Sequence, residues 1–227
     1  MTTFSEQLWD SAEATYRAIL EHPFLRGLTD GTLPREAFRH FVVQDGHYLR
    51  DYARALAVCA AKAPTEQDVR AFADDAVGAL TAEQEMHADF LKALVTAGAG
   101  SADGAGSADD VVRPTTRAYS SYLLATVYGG SFAEGLAAVL PCYWIYARVG
   151  EALLRELSPD PLYARWIGSY ADEGFQSVVR RVLELTDRVG AELSPAERAR
   201  AVQHFATTAR YEWMFWDAAW RGEDWPV

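Results

Sequence analysis

FRHFVVQDGHYLRDYARALAVC, residues 38 to 59, decides the fold class. Its residues Phe38, Phe41, Tyr48, Tyr52, Leu56 and Cys59 recur three or four apart once Asp45 fills the gap between Phe41 and Tyr48. A helix turns about 100° per residue, so these positions share one face, whereas a strand would send neighbours to opposite sides. The same geometry points Asp45 inward with the aromatic rings. A carboxylate buried without a partner costs several kcal/mol or takes up a proton. Asp45 therefore either bonds a backbone or tyrosine group inside a bundle or takes part in chemistry there.

Working outward, helical spacing continues and no convincing alternating strand occurs. Residues 4–21 predict a first helix, and a second starts near Pro34 and runs to Ala63, with HPFLRGLTDG read as the link between them. A third spans about 66–96, followed by the Gly/Ala/Ser connector of residues 98–110. Pro114 opens a fourth that ends near Gly129, and Ser131 caps a fifth over 132–157. Residues 161–190 read as one helix, and SPAER, with a serine cap and a glutamate three residues on, opens the last, which runs to about 221. Residues 1–227 read as a single all-α domain of about seven or eight helices.

Composition narrows the function. The chain is 50% hydrophobic and carries a net charge of −11, with lysine only at Lys62 and Lys92. That balance argues against a nucleic-acid partner, which needs clustered cations. No apolar run is long enough to span a bilayer, so no membrane role is expected. Two cysteines, Cys59 and Cys142, are too few for a disulfide framework, and the first residues lack the pattern of a leader peptide. A soluble, cytoplasmic protein is the expectation.

Two further helical faces carry polar groups. In the last helix Phe205, Ala209, Phe215, Trp216 and Ala219 share a face, and Glu212 sits between Ala209 and Phe215. Large rings around it predict a carboxyl with a raised pKa, a proton donor near neutrality; the alternative is a salt bridge, with Arg210 the nearest candidate. In the fifth helix Val139, Cys142, Tyr146 and Val149 share a face. Buried cysteine is usually a small hydrophobe, as expected of Cys59. Cys142 differs because Pro141 precedes it, removing an amide donor and favouring a bend that opens space between helices. A thiol and two carboxylates on converging faces suit nucleophilic catalysis with acid–base assistance.

HPFLRGLTDGTLPREAFRHFVVQDGHYL, PTTRAYSSYL, LPCYWIY, WIGSYADEGF and RYEWMFWD, in this order, resemble the segments of the TenA/thiaminase II family, and the likeness runs along nearly the whole chain. The resemblance implies an all-α haem-oxygenase-like bundle, usually a homotetramer, without a cofactor or metal. It implies a hydrolase acting on C–N bonds in thiamine salvage, whose small-molecule substrate is an aminopyrimidine breakdown product of thiamine, or thiamine itself, and whose product is 4-amino-5-hydroxymethyl-2-methylpyrimidine. Carried over by motif, Cys142 is the nucleophile, Glu212 moves a proton to a ring nitrogen, and Asp45 bonds the amino edge and helps orient the thiol. Tyr48, Tyr119, Tyr146, Tyr170 and Phe215 supply ring faces and hydroxyls around the pyrimidine. His47 stands where the family commonly has an aromatic residue, two after Asp45 and so on a different face.

Other readings compete. Carboxylate-bridged metal sites in bundles need several inward Glu and His residues. Glu83 and His87, between Leu80 and Phe90, fit a buried structural pair better, and Glu36 and His40 fall off the Phe38–Phe41 face and read as solvated. Cofactor-free oxidation, as in pyrroloquinoline-quinone synthases, calls for a cationic pocket that this chain does not suggest. A pyrimidine-binding or regulatory protein would not need the thiol, and a plain scaffold would need none of the three inward groups.

Overall fold

In the computed structural model, residues 2–82, 88–96 and 111–227 are described. Among them run ten α-helices and no strand: α1 (Phe4–Leu20), α2 (Pro23–Asp30), α3 (Arg35–Lys62), α4 (Glu66–Ala82), α5 (Ala88–Thr96), α6 (Pro114–Gly129), α7 (Phe132–Leu154), α8 (Pro161–Ala171), α9 (Glu173–Glu192) and α10 (Pro195–Arg221). No helix among the described residues is long and apolar enough to cross a membrane. Glu83, His87 and the connector at 98–110 lie outside the described residues. Leu80, one of the two residues used to place the Glu83–His87 face inward, is 39% exposed.

The count exceeds the expected seven or eight for identifiable reasons. HPFLRGLTD is a helix of its own, not a link: Pro23 occupies its first turn, the Phe24 amide donates to His22 Nδ1 at 3.1 Å, and Gly31 ends it at φ 72. Phe24, Leu25 and Leu28 anchor it, each fully buried. An eight-residue helix bounded by proline and glycine looks like punctuation in sequence, and only burial of its apolar face holds it.

The stretch 161–190 is not one helix either. At Asp172 the backbone leaves the helical region (ψ 140), and the Asp172 carboxylate accepts from the Gly174 amide at 2.8 Å, capping α9. Gln176 Nε2 then donates to Ala147 O and Tyr170 O, tying the start of α9 to α7 and the end of α8. At the starts of α7 and α10 the capping rules hold. Ser131 with Glu134 and Ser194 with Glu197 form complete capping boxes, and Pro195 takes the first turn of α10. Pro34 is the cap residue of α3 instead of its first helical residue. α7 stops at Leu154, short of the expected 157, where Leu157 enters the left-handed region at φ 52.

The centre of the bundle is α3 and α7, with α10, α6, α4 and α8 packed around them. Its floor is aromatic: Phe41 stacks on Trp216 with ring centres 4.8 Å apart and planes at 4°, and Phe24 and Trp166 meet the same pair. The order of the series on α3 is the one expected, with Phe38, Phe41, Tyr48, Tyr52, Leu56 and Cys59 all buried. α7 runs unbroken through Pro141. The Tyr52 hydroxyl donates to Val139 O at 3.0 Å, cross-tying α3 to α7 one turn of helix from the thiol.

Where α7 crosses α8 the backbones come close enough to need a glycine. A Cβ on Gly150 would stand 2.8 Å from Tyr170 C and 2.9 Å from Ala171 N, both unyielding backbone atoms. Gly150→Ala is expected to push α8 outward, lower stability by about 1–3 kcal/mol and displace Tyr170. Thermal unfolding measures the first effect.

Candidate active site

Three inward polar groups from three helices converge. α3 brings Asp45, 4% exposed; α10 brings Glu212, 1% exposed; α7 brings Cys142, half-buried where it faces a cavity. That cavity, of about 630 Å³, is walled by Asp45, Cys142, Tyr146 and Tyr170 together with Tyr52 and Tyr143. Its size, with tyrosine and aliphatic walls and several aspartates, suits a small ligand with an apolar face and a few polar edges. Tyr146 and Tyr170 face each other with ring centres 4.9 Å apart, and Tyr146 meets Trp216 at 5.2 Å.

The other four expected site residues, Tyr48, Tyr119, Glu212 and Phe215, do not wall this cavity but form a buried cluster adjoining it. Tyr119 Oη donates to Glu212 Oε1 at 2.6 Å. The Tyr48 ring lies 4.7 Å from Tyr119 and 5.8 Å from Phe215. The Tyr48 hydroxyl interacts with both the Tyr119 hydroxyl and the Cys142 thiol.

Electrostatics separate the two acids. Burial, reinforced by the charge of Asp45, raises the Glu212 pKa from 4.5 to about 8 against the pull of the Tyr119 hydrogen bond. Glu212 therefore holds a proton at neutral pH, as its aromatic surroundings predicted, and its hydrogen-bond partner is Tyr119, not Arg210, which is exposed. Burial is also the first cause that pushes the Cys142 thiol up, and an ionised Glu212 would push it further; the Tyr48 hydroxyl eases it down. The thiol is thus protonated and must lose its proton before the sulfur can attack. Cys59 is an inert contrast, buried and pushed up to about 12.

Tyr52 and Tyr143 were missed as site residues. Tyr52 stands one turn after Tyr48 on the Asp45 face, a signal read as core packing, and Tyr143 directly follows Cys142. His40 corrects another expectation: it is half-buried, with Nε2 enclosed and without a partner among the described residues, while Glu36 is exposed. It lines a separate recess with Arg113 and Arg221. His47 is half-buried beyond the cavity wall. Among the described residues no group of three or more His, Cys, Asp or Glu side chains is placed to hold a metal ion.

The profile of the TENA/THI-4/PQQC family matches residues 9–222. The chain belongs to this family. Among its family relatives, an aminopyrimidine aminohydrolase of Bacillus subtilis is 34% identical over 222 residues, spanning 98% of this chain and 92% of the relative. Among solved structures of the family, a TenA homologue from P. horikoshii OT3 superposes with a TM-score of 0.82 at 31% identity, covering 97% and 99% of the two chains. A TenA family transcription regulator from Silicibacter sp. superposes with a TM-score of 0.78 at 31% identity, covering 94% of each. The family's bundle is the one described above, and in this member Asp45, Cys142 and Glu212 meet at its centre.

Proposed function

We propose that this chain is an aminopyrimidine aminohydrolase of the thiaminase II type. Its substrate is 4-amino-5-aminomethyl-2-methylpyrimidine or a related breakdown product of thiamine, with thiamine cleaved by the same chemistry. Water replaces the group on the exocyclic methylene, giving the hydroxymethylpyrimidine and, from the aminomethyl substrate, ammonia. The observation that carries this reading is a cavity walled by the Cys142 thiol, the Asp45 carboxylate and four tyrosines, with the protonated Glu212 in the buried cluster beside it. The relatives named aminopyrimidine aminohydrolase support it.

In the proposed sequence the ring packs against Tyr146 and Tyr170 while Asp45 accepts from its exocyclic amine. Glu212 gives its proton to a ring nitrogen as the Cys142 sulfur adds to a ring carbon, its own proton passing to a neighbouring carboxylate. The electron pair of the broken C–N bond leaves with the amine, which takes up a proton. Water then adds at the methylene, the C–S bond breaks, and thiol and acid are restored. Tyr48 and Tyr119 hold the Glu212 end of the ring, and Phe215 backs Tyr48.

We further take residues 1–227 as one domain, supported by a core to which buried side chains from α1 through α10 all contribute. A cytoplasmic homotetramer is the form expected from the family resemblance. A regulator that binds the pyrimidine without turning it over is the second reading, favoured by the name of one structural neighbour. Chromatography of reaction mixtures with the aminomethylpyrimidine separates the two. Formation of hydroxymethylpyrimidine is the expected result; tight binding with no turnover of this substrate or of thiamine would overturn the hydrolase reading.

A further inference from the structure

The cavity has a buried end and an exposed end. Asp45 and Tyr146 close the buried end, whereas Gly78 of α4 and Asp172 and Gly174 at the start of α9 are exposed at the other. A bridge of three side chains runs from Tyr143 and Asp75 in this wall to Arg181 outside it. Asp75 accepts from Tyr143 Oη through Oδ2 at 2.8 Å and from Arg181 Nη2 through Oδ1 at 2.6 Å. The Asp75 side chain is 7% exposed, so its charge is both paired and largely screened from water, and such charge-assisted bonds are the strong ones. These two bonds join α4, α7 and α9, and one of the three residues is the immediate neighbour of Cys142.

Asp75 also separates two spaces. A second recess, of about 620 Å³, is walled by Arg70, Asp74, Asp75, Val178 and Arg181. Asp74, Asp75 and Val178 belong to the walls of both. The Tyr143 ring continues the partition inward, meeting Tyr52 edge-on with centres 5.8 Å apart. None of the steps proposed above uses this partition.

We propose that the exposed end of the cavity seats the group displaced from the pyrimidine, and that Asp75, through Tyr143 and Arg181, is the positioning residue that fixes that seat. The inference rests on the hydrolase reading. A pyrimidine against Asp45 and the Tyr146–Tyr170 pair fills the buried end, and the substituent on its methylene then points toward the exposed end, the way out to solvent. A substituent as large as a second heterocycle must lie along α4 and α9, whose separation the bridge sets. A one-ångström shift of such a wall is enough to spoil positioning.

The test uses the full chain carrying Cys142→Ser, so that bound thiamine is not consumed, with tryptophan fluorescence as the readout. Dissociation constants are measured for thiamine and for 4-amino-5-hydroxymethyl-2-methylpyrimidine, which has the ring but no large substituent. Asp75→Asn and Tyr143→Phe, each close to the native shape, are added separately, so that failure of one to fold leaves the other informative. Each is expected to raise the ratio of the thiamine constant to the hydroxymethylpyrimidine constant about tenfold. Equal weakening of both ligands would mean a merely structural bridge and overturns the proposal, as does failure of thiamine to bind where the hydroxymethyl compound binds. Failure of the hydrolase reading is recognised separately, by the absence of turnover in the protein that retains Cys142.

Discussion

Cys142→Ser is expected to lower kcat for the aminomethylpyrimidine by at least about a thousandfold, with the melting temperature within a few degrees of wild type. The sulfur faces a cavity instead of filling a gap in the core, so exchanging it for oxygen removes few packing contacts. A serine hydroxyl at this place has a far higher pKa than a thiol, and the surroundings that already push Cys142 up would hold it un-ionised. Substrate affinity is expected to survive, because the ring contacts come from Asp45 and the tyrosines. Single-turnover chromatography checks the rate and equilibrium fluorescence the affinity. A variant that keeps more than a tenth of the wild-type rate would remove Cys142 from the nucleophile's role.

Glu212→Gln has the second large effect, and it acts on rate and stability in opposite directions. Loss of the general acid is expected to cost about a hundredfold to ten-thousandfold in kcat. With Glu212 as the proposed acid, the required form is protonated, so kcat/KM is expected to fall as pH rises through about 8. That alkaline limb disappears in the variant. For stability the sign is set by a folded pKa raised from 4.5 to about 8. Below pH 4.5 both states hold the proton; between 4.5 and 8 the folded protein keeps a proton that the unfolded chain has lost, so stability falls as pH rises across that window. Above 8 the folded protein carries a buried anion at full cost. The neutral amide of Glu212→Gln escapes that cost and can still accept from Tyr119, so at pH 9 the variant is expected to be more stable than wild type by roughly 2–4 kcal/mol. Denaturant titration at pH 6 and pH 9 measures the difference. A variant with an unchanged alkaline limb would assign the acid to another group, and one less stable at pH 9 would contradict the burial of an ionised Glu212.

The helical class and the direction of each functional side chain were legible in the sequence because a helix converts spacing into direction. Phe41, Asp45, Tyr48 and Tyr52 had to share a face, as did Ala209, Glu212 and Trp216, whatever packed against them. Caps such as Ser131 with Glu134 and Ser194 with Glu197 are read by neighbours three residues away, and those boundaries fell where expected. Periodicity carries no information about what lies across an interface. That Tyr119 meets Glu212 across ninety-three positions, or that Asp75 of α4 bonds both Tyr143 and Arg181, is decided only when helices distant in sequence pack together.

Breaks in regularity divide the same way. A single-residue interruption at Asp172 leaves the apolar spacing on either side nearly intact, so sequence reads through it; the tertiary structure makes the break, with Gln176 bonding to both Ala147 O and Tyr170 O. The eight residues of α2 are too short to be stable as a helix alone and exist because Phe24 and Leu28 reach the core. The sequence by itself determined which side chains face inward and which chemistry they could offer. The tertiary structure decided which of them meet, how deeply Glu212 is buried and so that it holds its proton, because desolvation and partner distance depend on what surrounds a group in space.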